Sequence, residues 1–482
     1  MLKFEKFTKE NLKEYLKYIK DSPLKCNDVS VGSFLMYNES VNLQFAVINE
    51  TFISRQDICG DVVFSFPFGK DENGAIDQLI EYVKQNDLPL VFYGVDDLLF
   101  EKIKTNPKFS SVQGNYDRRW SDYFYDFNEM RYFSGGKFSG QRNHINRFLK
   151  TYGIPIFSKI DKEDIPKIKE FLKEYTKEHE ERALNENEEL LGTFALLESF
   201  NDYNLIGAKL QVNGEIVGFA IGEIIGDTLI IHVEKAIKSY LGSYPTLFNY
   251  FVSFVAENFG NDLKYVNRED DSGDIGLRTS KLQYKPLFLV NKNLVKINSP
   301  LLSIEENPKI YGDGIYLDKI KEEDKPNYFS LCKDEEINKL WGYDYKEDSS
   351  ITGEINENTF YDVQKYDNSL GYSINFAIRE SENGELLGET IVYNFTYNKN
   401  AEMGCRLLKK AWGKKLGAKA YRLTLEWAEK TLGVSITGKC FKENLPSIKM
   451  ITSSGLELFS SDDKYFYFKR KTVDNQLTAR LK

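Results

Sequence analysis

The chain has 482 residues, 41% of them apolar and 14% aromatic, which is too long for one ordinary core and apolar enough for two to four domains of about 100–200 residues. A net charge of −9 with an isoelectric point near 5.3 excludes a general nucleic-acid coat, which needs a basic surface. The five cysteines form no CxxC pair and His144, His179 and His232 form no HxxH or HExxH arrangement, so no disulfide framework and no metal site are expected, and the reducing cytoplasm is the expected compartment.

The first segment, MLKFEKFTKENLKEYLKYIKD, places Leu, Tyr and Ile at helical spacing and predicts an amphipathic helix rather than a signal peptide. No apolar stretch approaches the ~20 residues that span a bilayer, so no membrane insertion is expected. LQFAVINETFISRQ then predicts a hairpin, AIDQLIEYVKQN a helix and LPLVFYGV a strand. Positive charge gathers in DRRW, Asp117 to Trp120, and in GGKFSGQRNHINRFLK, Gly135 to Lys150. The second run is either a helix gripping RNA or a solvated face with Ile145 and Phe148 turned inward.

Two later stretches match each other. AKLQVNGEIVGFAIGEIIGDTLIIHVEKA, Ala208 to Ala236, and FAIRESENGELLGETIVYNFTYNKNAEMGCRLL, Phe376 to Leu408, each predict three strands, the first two joined at Asn-Gly-Glu. Asn-Gly between apolar runs favours a hairpin, because a type I′ turn needs positive φ at both central positions. A helix ending at Gly follows each (YPTLFNYFVSFVAENFG and AKAYRLTLEWAEKTLG), and then a short strand and another helix. The pattern predicts three βββαβα units in tandem, the first fainter than the others. They divide near Asn128 and in NSPLLSIEENPKIYGDG, whose Pro, Asn and Gly content reads as a linker.

The run YVNREDDSGDIGLRTSKLQYKP, Tyr265 to Pro286, packs acids and arginines beside a strand end. Asn267, Arg268, Glu269, Asp270 and Asp271 would ring a cleft, with Arg278 and Lys281 on the next helix able to pair with them, and His232 and Glu234 ending the preceding strand beside it. The competing reading is an ion-paired corner that braces strand to helix. Further on, a glycine-bearing loop enters a helix at Gly417, so free N–H groups and the positive helix end face outward together, which suits a pyrophosphate. The competing reading of WGKKLG is a helix-capping turn.

YLDKIKEEDKPNYFSLCKDEEINKLWGYDY, ELLGETIVYNF, AEMGCRLLKKAWGKKLGAKA and CFKENLPSIKMITSSGLELF resemble the Gcn5-related (GNAT) N-acetyltransferases of the ribosomal-protein acetyltransferase branch. The resemblance implies an α+β sandwich, acetyl-CoA or another acyl-CoA as donor, and a small-molecule or peptide amine as acceptor. It implies donor contacts from Leu407, Leu408, Gly413, Lys414, Lys415, Leu416, Gly417 and Ala418, with Asn444 and Ser447 after the fifth strand. Glu402 is the implied base for the attacking amine. The family loop Gln/Arg-x-x-Gly-x-Gly/Ala is altered here: Trp412 replaces Gln/Arg and Lys415 the middle glycine, and Lys415 can hold the bend only with negative φ. Where many relatives place a tyrosine acid, this chain has Met450 and Ile451.

FSGGKFSGQRNHINRFLKTYG, HVEKAIKSYLGSYPTLFNYF and the Tyr265–Pro286 run resemble the soluble C-terminal domain of bacterial phosphatidylglycerol lysyltransferases and their stand-alone relatives. Such domains have two GNAT-like halves and take an aminoacyl group from charged tRNA, so aminoacyl-tRNA is the implied partner of this region. The expected organisation is therefore a degenerate GNAT-like unit at 1–128, a second at 129–297, a linker at 298–309, a GNAT acyltransferase domain at 310–473 and a tail at 474–482. The expected function is acyl-CoA-dependent N-acyl transfer. The alternatives are aminoacyl transfer from charged tRNA and non-catalytic ligand binding.

Overall fold

Asn213 and Gly214 take φ of 53° and 88° and close a tight hairpin between the strands Ile206–Val212 and Glu215–Ile225, the turn that Asn-Gly predicts. Its sequence twin behaves differently. Gly384 has no positive φ; its N–H donates to Ser381 O at 2.9 Å, and the next strand begins only at Gly388. The matched Asn-Gly-Glu triplets thus build two different turns, because residues 380–387 form a longer loop that buries Leu386 and Leu387.

The computed structural model describes residues 2–20, 26–58, 61–177, 185–200, 203–260, 262–304, 306–342, 344–346 and 354–470. His179 and the expected tail at 474–482 lie outside the described residues. The chain divides into two compact units, one of residues 1–82, 91–107 and 114–295, the other of 83–90, 108–113 and 296–482. The described residues form three mixed sheets flanked by helices.

The first sheet runs in the order Glu5–Lys6, Gln44–Ile48, Thr51–Ile58, Asp61–Phe64, Leu90–Val95, Asn293–Ile297 and Val112–Tyr116, with Phe68–Gly69 paired beside Thr51–Ile58. The second runs Phe288–Val290, Asp122–Asp126, Tyr265–Asn267, Thr228–Ala236, Glu215–Ile225, Ile206–Val212 and Ile156–Lys159. The third runs Ile310–Gly312, Ile315–Asp318, Ser373–Arg379, Gly388–Tyr393, Asn400–Leu407, Ser435–Phe441, Tyr465–Lys469 and Glu457–Ser461. Each contains a parallel pair: Phe64 with Phe92 in the first, Thr228–Ala236 with Tyr265–Asn267 in the second, Asn400–Leu407 with Ser435–Phe441 in the third.

In the third sheet the last strand, Tyr465–Lys469, lies inside the one before it. In the first two sheets that inner place is exchanged. Asn293–Ile297 fills it in the first sheet and Asp122–Asp126 fills it in the second. Tyr123, Phe124 and Tyr125 are fully buried, so this strand is covered on both faces and pairs on both edges, with Tyr265–Asn267 and with Phe288–Val290.

Helix Ser243–Phe259 buries Leu247, Phe248, Phe251, Val252 and Val255 against the second sheet, and helix Leu416–Trp427 buries Leu416, Ala420, Tyr421 and Leu425 against the third. The basic helix, Ser139–Tyr152, buries Phe148 and turns Ile145 toward the core, with Arg147 and Lys150 exposed. The expected linker contains the short turn Pro300–Ser303, whose Leu301 is buried.

Candidate functional site

Parallel pairing between Asn400–Leu407 and Ser435–Phe441 runs from Asn400↔Ser435 to Met403↔Gly438 and stops there, although both strands continue. The sheet is therefore split from Gly404 onward. The chain leaves the split strand through the turn Lys409–Ala411, with Leu408 buried, and then bends at Gly413 and Lys415 (φ 76° and 61°) into helix Leu416–Trp427. The expectation of a negative φ at Lys415 is thus corrected. A non-glycine residue holds the left-handed conformation here, at a cost of roughly 1–2 kcal/mol, because the chain must reverse sharply to enter the helix.

The bend brings the first helical turn, whose Leu416, Gly417 and Ala418 N–H groups lack acceptors within the helix, beside the strand residues Cys405 and Leu407 past the last pair. A side chain at Gly413 would meet nothing within 4 Å, whereas a Cβ at Gly417 would lie 3.3 Å from Met450 Sδ and 3.4 Å from Leu407 Cδ1. Gly413 serves the backbone and Gly417 serves close packing. Lys414 and Lys415 are exposed beside the loop, and Trp412 Nε1 donates to Leu407 O at 3.0 Å, pinning the turn. Across the split, Asn444 caps helix Leu445–Ser453 by accepting the N–H of Ser447 at 3.1 Å.

Glu402 lies in the paired part of the strand, opposite Tyr393 and Thr437. Its carboxylate accepts the Tyr393 hydroxyl at 3.2 Å and Asn394 Nδ2 at 3.0 Å. Residues 402, 404 and 406 share one face of the strand. A Cβ at Gly404 would lie 2.5 Å from the Trp341 ring, so that ring packs against the strand where it parts. Arg406 stacks over Trp341 at 4.9 Å and donates to Glu389 at 2.7 Å and Asn338 at 2.6 Å. Trp341 and Arg406 escape sequence reading because their partners come from separate segments.

In the second sheet the shorter strand, Tyr265–Asn267, ends where its parallel pairing ends, while Thr228–Ala236 runs on. Thr228–Ala236 and Tyr265–Asn267 pair as far as Ile230↔Asn267. Opposite Glu215–Ile225, Val233 faces Ile221 and Ile231 faces Gly222, which makes His232 an extra, bulged residue, and a bulge re-aims its side chain. His232 Nδ1 is 2.8 Å from Glu269 Oε1 and Nε2 is 2.8 Å from Glu223 Oε1. Burial alone would lower the imidazole pKa, but the Glu223 and Glu269 carboxylates outweigh it and push it up to about 10.

The Tyr265–Pro286 cluster resolves into separate partnerships. Arg268 donates to both oxygens of Glu234, at 3.1 and 2.9 Å, and stacks on Phe248 at 4.3 Å and Tyr284 at 4.7 Å. Asp270 meets Lys292 at 3.1 Å. Asp271, fully buried, accepts Arg278 Nε at 2.9 Å and Nη2 at 2.8 Å, Arg118 at 3.0 Å, the Tyr123 hydroxyl at 2.6 Å and the Gly273 N–H at 3.0 Å. Burial would raise its pKa, yet Arg278, Tyr123 and the Gly273 N–H together hold it well below the carboxylate range. Asn267 donates from its side chain to Asp122 and accepts the Glu269 N–H.

Two expected pairings are corrected. Glu269 pairs with His232 rather than Arg278, because its left-handed φ of 56° turns it back toward the bulge. Lys281 donates to the backbone oxygens of Arg268 and Asp270 rather than to the carboxylates, and burial lowers its pKa to about 8.

Sequence reading missed Glu223, Asp122 and Lys292. Lys292 is buried among Asp122 at 3.0 Å, Asp270 at 3.1 Å and Asp28 at 3.3 Å, and burial raises the Asp122 pKa to about 6 against the pull of Lys292. The available signal was Glu223 itself, a lone acid inside the apolar run IVGFAIGEIIG.

Residues 25–295 match the family model described as phosphatidylglycerol lysyltransferase, C-terminal, and residues 315–457 match that of the acetyltransferase (GNAT) domain. An uncharacterised protein of Mycoplasmoides gallisepticum is 25% identical over 266 residues, covering 53% of this chain and 82% of that protein. A crystal structure of a conserved protein of unknown function from Bacteroides thetaiotaomicron has 26% identity and a TM-score of 0.58, covering 62% of this chain and 100% of that one. Spermidine N-acetyltransferase from Vibrio cholerae, solved with CoA and spermine, has 12% identity and a TM-score of 0.28, covering 33% of this chain and 94% of that one. No described helix is long and apolar enough to cross a membrane. The chain belongs to the phosphatidylglycerol lysyltransferase C-terminal family and carries after that region an acetyltransferase (GNAT) domain, which makes it an acetyltransferase-type enzyme.

Proposed function

We propose that the chain is an acyl-CoA-dependent N-acyltransferase whose chemistry lies in residues 310–470 and whose acceptor is a small-molecule or peptide amine. The observation that carries this reading is the split after Met403↔Gly438 beside a loop whose Gly413 and Lys415 turn a helix N-terminus toward it. A pyrophosphate fits such a terminus, where N–H groups and the helix dipole act together. The loop from Gly413 to Ala418 would hold it, with Lys414 and Lys415 adding charge and Leu407 and Leu408 lining the approach. Asn444 is already engaged as a helix cap with Ser447, so these two shape the far wall.

Acyl-CoA would supply an activated acyl thioester. Glu402, oriented by Tyr393 and Asn394, would take the proton of the attacking amine. Calorimetric titration of the full chain with acetyl-CoA tests the reading. Saturable binding that weakens when Lys414 and Lys415 are both changed to Ala is expected, and no binding by the unaltered chain would overturn it.

In residues 1–297 we infer two GNAT-like halves, 1–128 and 129–297, joined by exchanged strands. A second reading, aminoacyl transfer from charged tRNA, is favoured here by one observation: Arg268 Nη1 has no hydrogen-bond partner among the described residues, at a side chain about nine-tenths buried just past the end of the strand Tyr265–Asn267. Binding of a nonhydrolysable aminoacyl-adenosine that is lost in Glu234→Gln would support it. Asp271 and Arg278 we assign to bracing the loop, since the carboxylate is saturated by internal donors.

A further inference from the structure

In the outer strands of the third sheet, successive side chains divide between the core and an open face. Ile436 and Cys440 of Ser435–Phe441 and Phe468 of Tyr465–Lys469 belong to the core, packed with helices Leu416–Trp427 and Leu445–Ser453. The alternate residues point the other way, and the register Lys439↔Tyr467 and Phe441↔Tyr465 sets them side by side. Lys439 is exposed there, while Phe441, Tyr465 and Tyr467 are half-buried.

Two ammonium groups meet one ring on that face. Lys439 Nζ lies 4.4 Å and Lys464 Nζ 5.3 Å from the centre of the Tyr465 ring, and Lys464 Nζ is 5.1 Å from that of Phe441. One lysine stretched over an aromatic ring is ordinary packing of its apolar stem. Two on one ring repel each other, and the ring's quadrupole offsets only part of that. Among the described residues no carboxylate stands within ion-pairing distance of either lysine. Asp462, in the turn that carries Lys464, is already engaged. It accepts the Tyr467 hydroxyl at 2.6 Å and the N–H groups of Lys464 and Tyr465 at 2.8 and 2.7 Å.

The face is continuous with Glu402. Glu402 pairs with Thr437 and Thr437 with Lys469, so all three point to the same side as Lys439 and Tyr467, and Glu402 lies within electrostatic reach of the Tyr467 phenol. Trp341, packed against Gly404, and Gly342, whose Cβ position is 3.5 Å from Phe441 Cε2, border the way between them. Strands about 4.8 Å apart, with about 6.7 Å for every two residues, put the Glu402 carboxylate roughly 10–15 Å from the lysine pair. We propose that Lys439 and Lys464 select the acceptor: an amine on a molecule that carries a carboxylate or phosphate at that distance from its nitrogen. The inference rests on the acyl-CoA reading above and adds to it the charge of the substrate. With the anion held by the two lysines, the amine reaches Glu402.

The test uses the full chain, acetyl-CoA and four peptides, Gly-Ser-Gly-Ser-X-amide, in which X is glutamate, phosphoserine, glutamine or lysine. An extended chain advances about 3.3 Å per residue, so X lies about 13 Å from the terminal nitrogen. Released CoA thiol reports turnover. The glutamate and phosphoserine peptides should show kcat/KM about tenfold above the glutamine peptide, as charge-assisted hydrogen bonds give, with the lysine peptide below it. The better of the two anionic peptides tells whether carboxylate or phosphate is the charge that is read. The gap should shrink as salt is raised. In the double variant Lys439→Glu, Lys464→Glu the order should reverse in favour of the lysine peptide, with acetyl-CoA affinity by calorimetry unchanged. Both side chains are exposed, and an unchanged melting temperature checks that the variant folds. Equal use of the four peptides, an anion preference that survives in the double variant, or a loss of acetyl-CoA affinity there would overturn the assignment. Acetyl-CoA binding without acetylation of either anionic peptide would also overturn it and leave the donor reading intact, whereas no acetyl-CoA binding by the unaltered chain would remove both.

Discussion

The imidazole of His232 occupies the space that a side chain on residue 32 would need. A Cβ at Gly32 would lie 2.3 Å from His232 Nε2 and Cδ2, and the Gly32 N–H donates at 2.8 Å to Glu223 Oε1, the same oxygen that meets His232 Nε2. Gly32→Ala must displace a buried ring held by two carboxylates. Overpacking of this kind costs about 1–3 kcal/mol, read as a lower urea midpoint at unchanged slope. An unmoved midpoint would mean that the ring can yield.

The same histidine sets a basic limit on stability. Its pKa is raised on folding from 6.5 to about 10, so the stabilisation is full below the unfolded value and is lost as pH rises through the folded one. Denaturation midpoints should therefore fall between about pH 7 and pH 10. His232→Gln should be less stable at pH 7 and should lose this fall, keeping only the opposite trend of Lys281, whose lowered pKa of about 8 adds stability as pH rises above it. A variant as pH-sensitive as the unaltered chain would place the titration elsewhere.

Asp271 makes the opposite prediction at acid pH. Its pKa is depressed from 3.8, so its contribution is present above that value and lost as pH falls below it. Asp271→Asn leaves Arg118 and Arg278 without their charge partner. Because both guanidinium groups reach solvent, with side chains 34% and 32% exposed, the cost should be about 1–3 kcal/mol rather than that of a fully buried pair. The measurement is thermal unfolding at pH 7 and pH 3, with the gap between variant and parent narrowing at the lower pH.

Lys415 gives a test with two readouts of opposite sign. Glycine adopts φ of 61° without strain, so Lys415→Gly should stabilise the fold by about 0.5–1 kcal/mol. Acetyl-CoA affinity should fall at the same time if the side chain meets a phosphate. A gain in melting temperature with unchanged affinity would leave Lys415 only a bend in the loop.

Much of this architecture is legible in local pattern. Asn213-Gly214, the apolar face of Ser243–Phe259 and the glycine loop before Leu416 all follow from spacing and turn chemistry. The acidic run after Tyr265 is legible as a cluster but not as a set of pairs. Its partners, His232, Lys292, Arg118 and Tyr123, come from segments 22 to 153 residues away in sequence, and charge in a sequence normally marks solvent. Nothing local says that five donors converge on the Asp271 carboxylate.

The exchanged strands impose an order on the birth of the protein. A ribosome finishes residues 1–128 long before Asn293–Ile297 emerges, yet that late strand fills an inner place in the first sheet. Until then the edges of Leu90–Val95 and Val112–Tyr116 have no partner between them, and open edges of this kind invite pairing with other chains. Nascent chains halted before about residue 290 should therefore be protease-sensitive and aggregation-prone, and those extended past residue 300 should become resistant in one step.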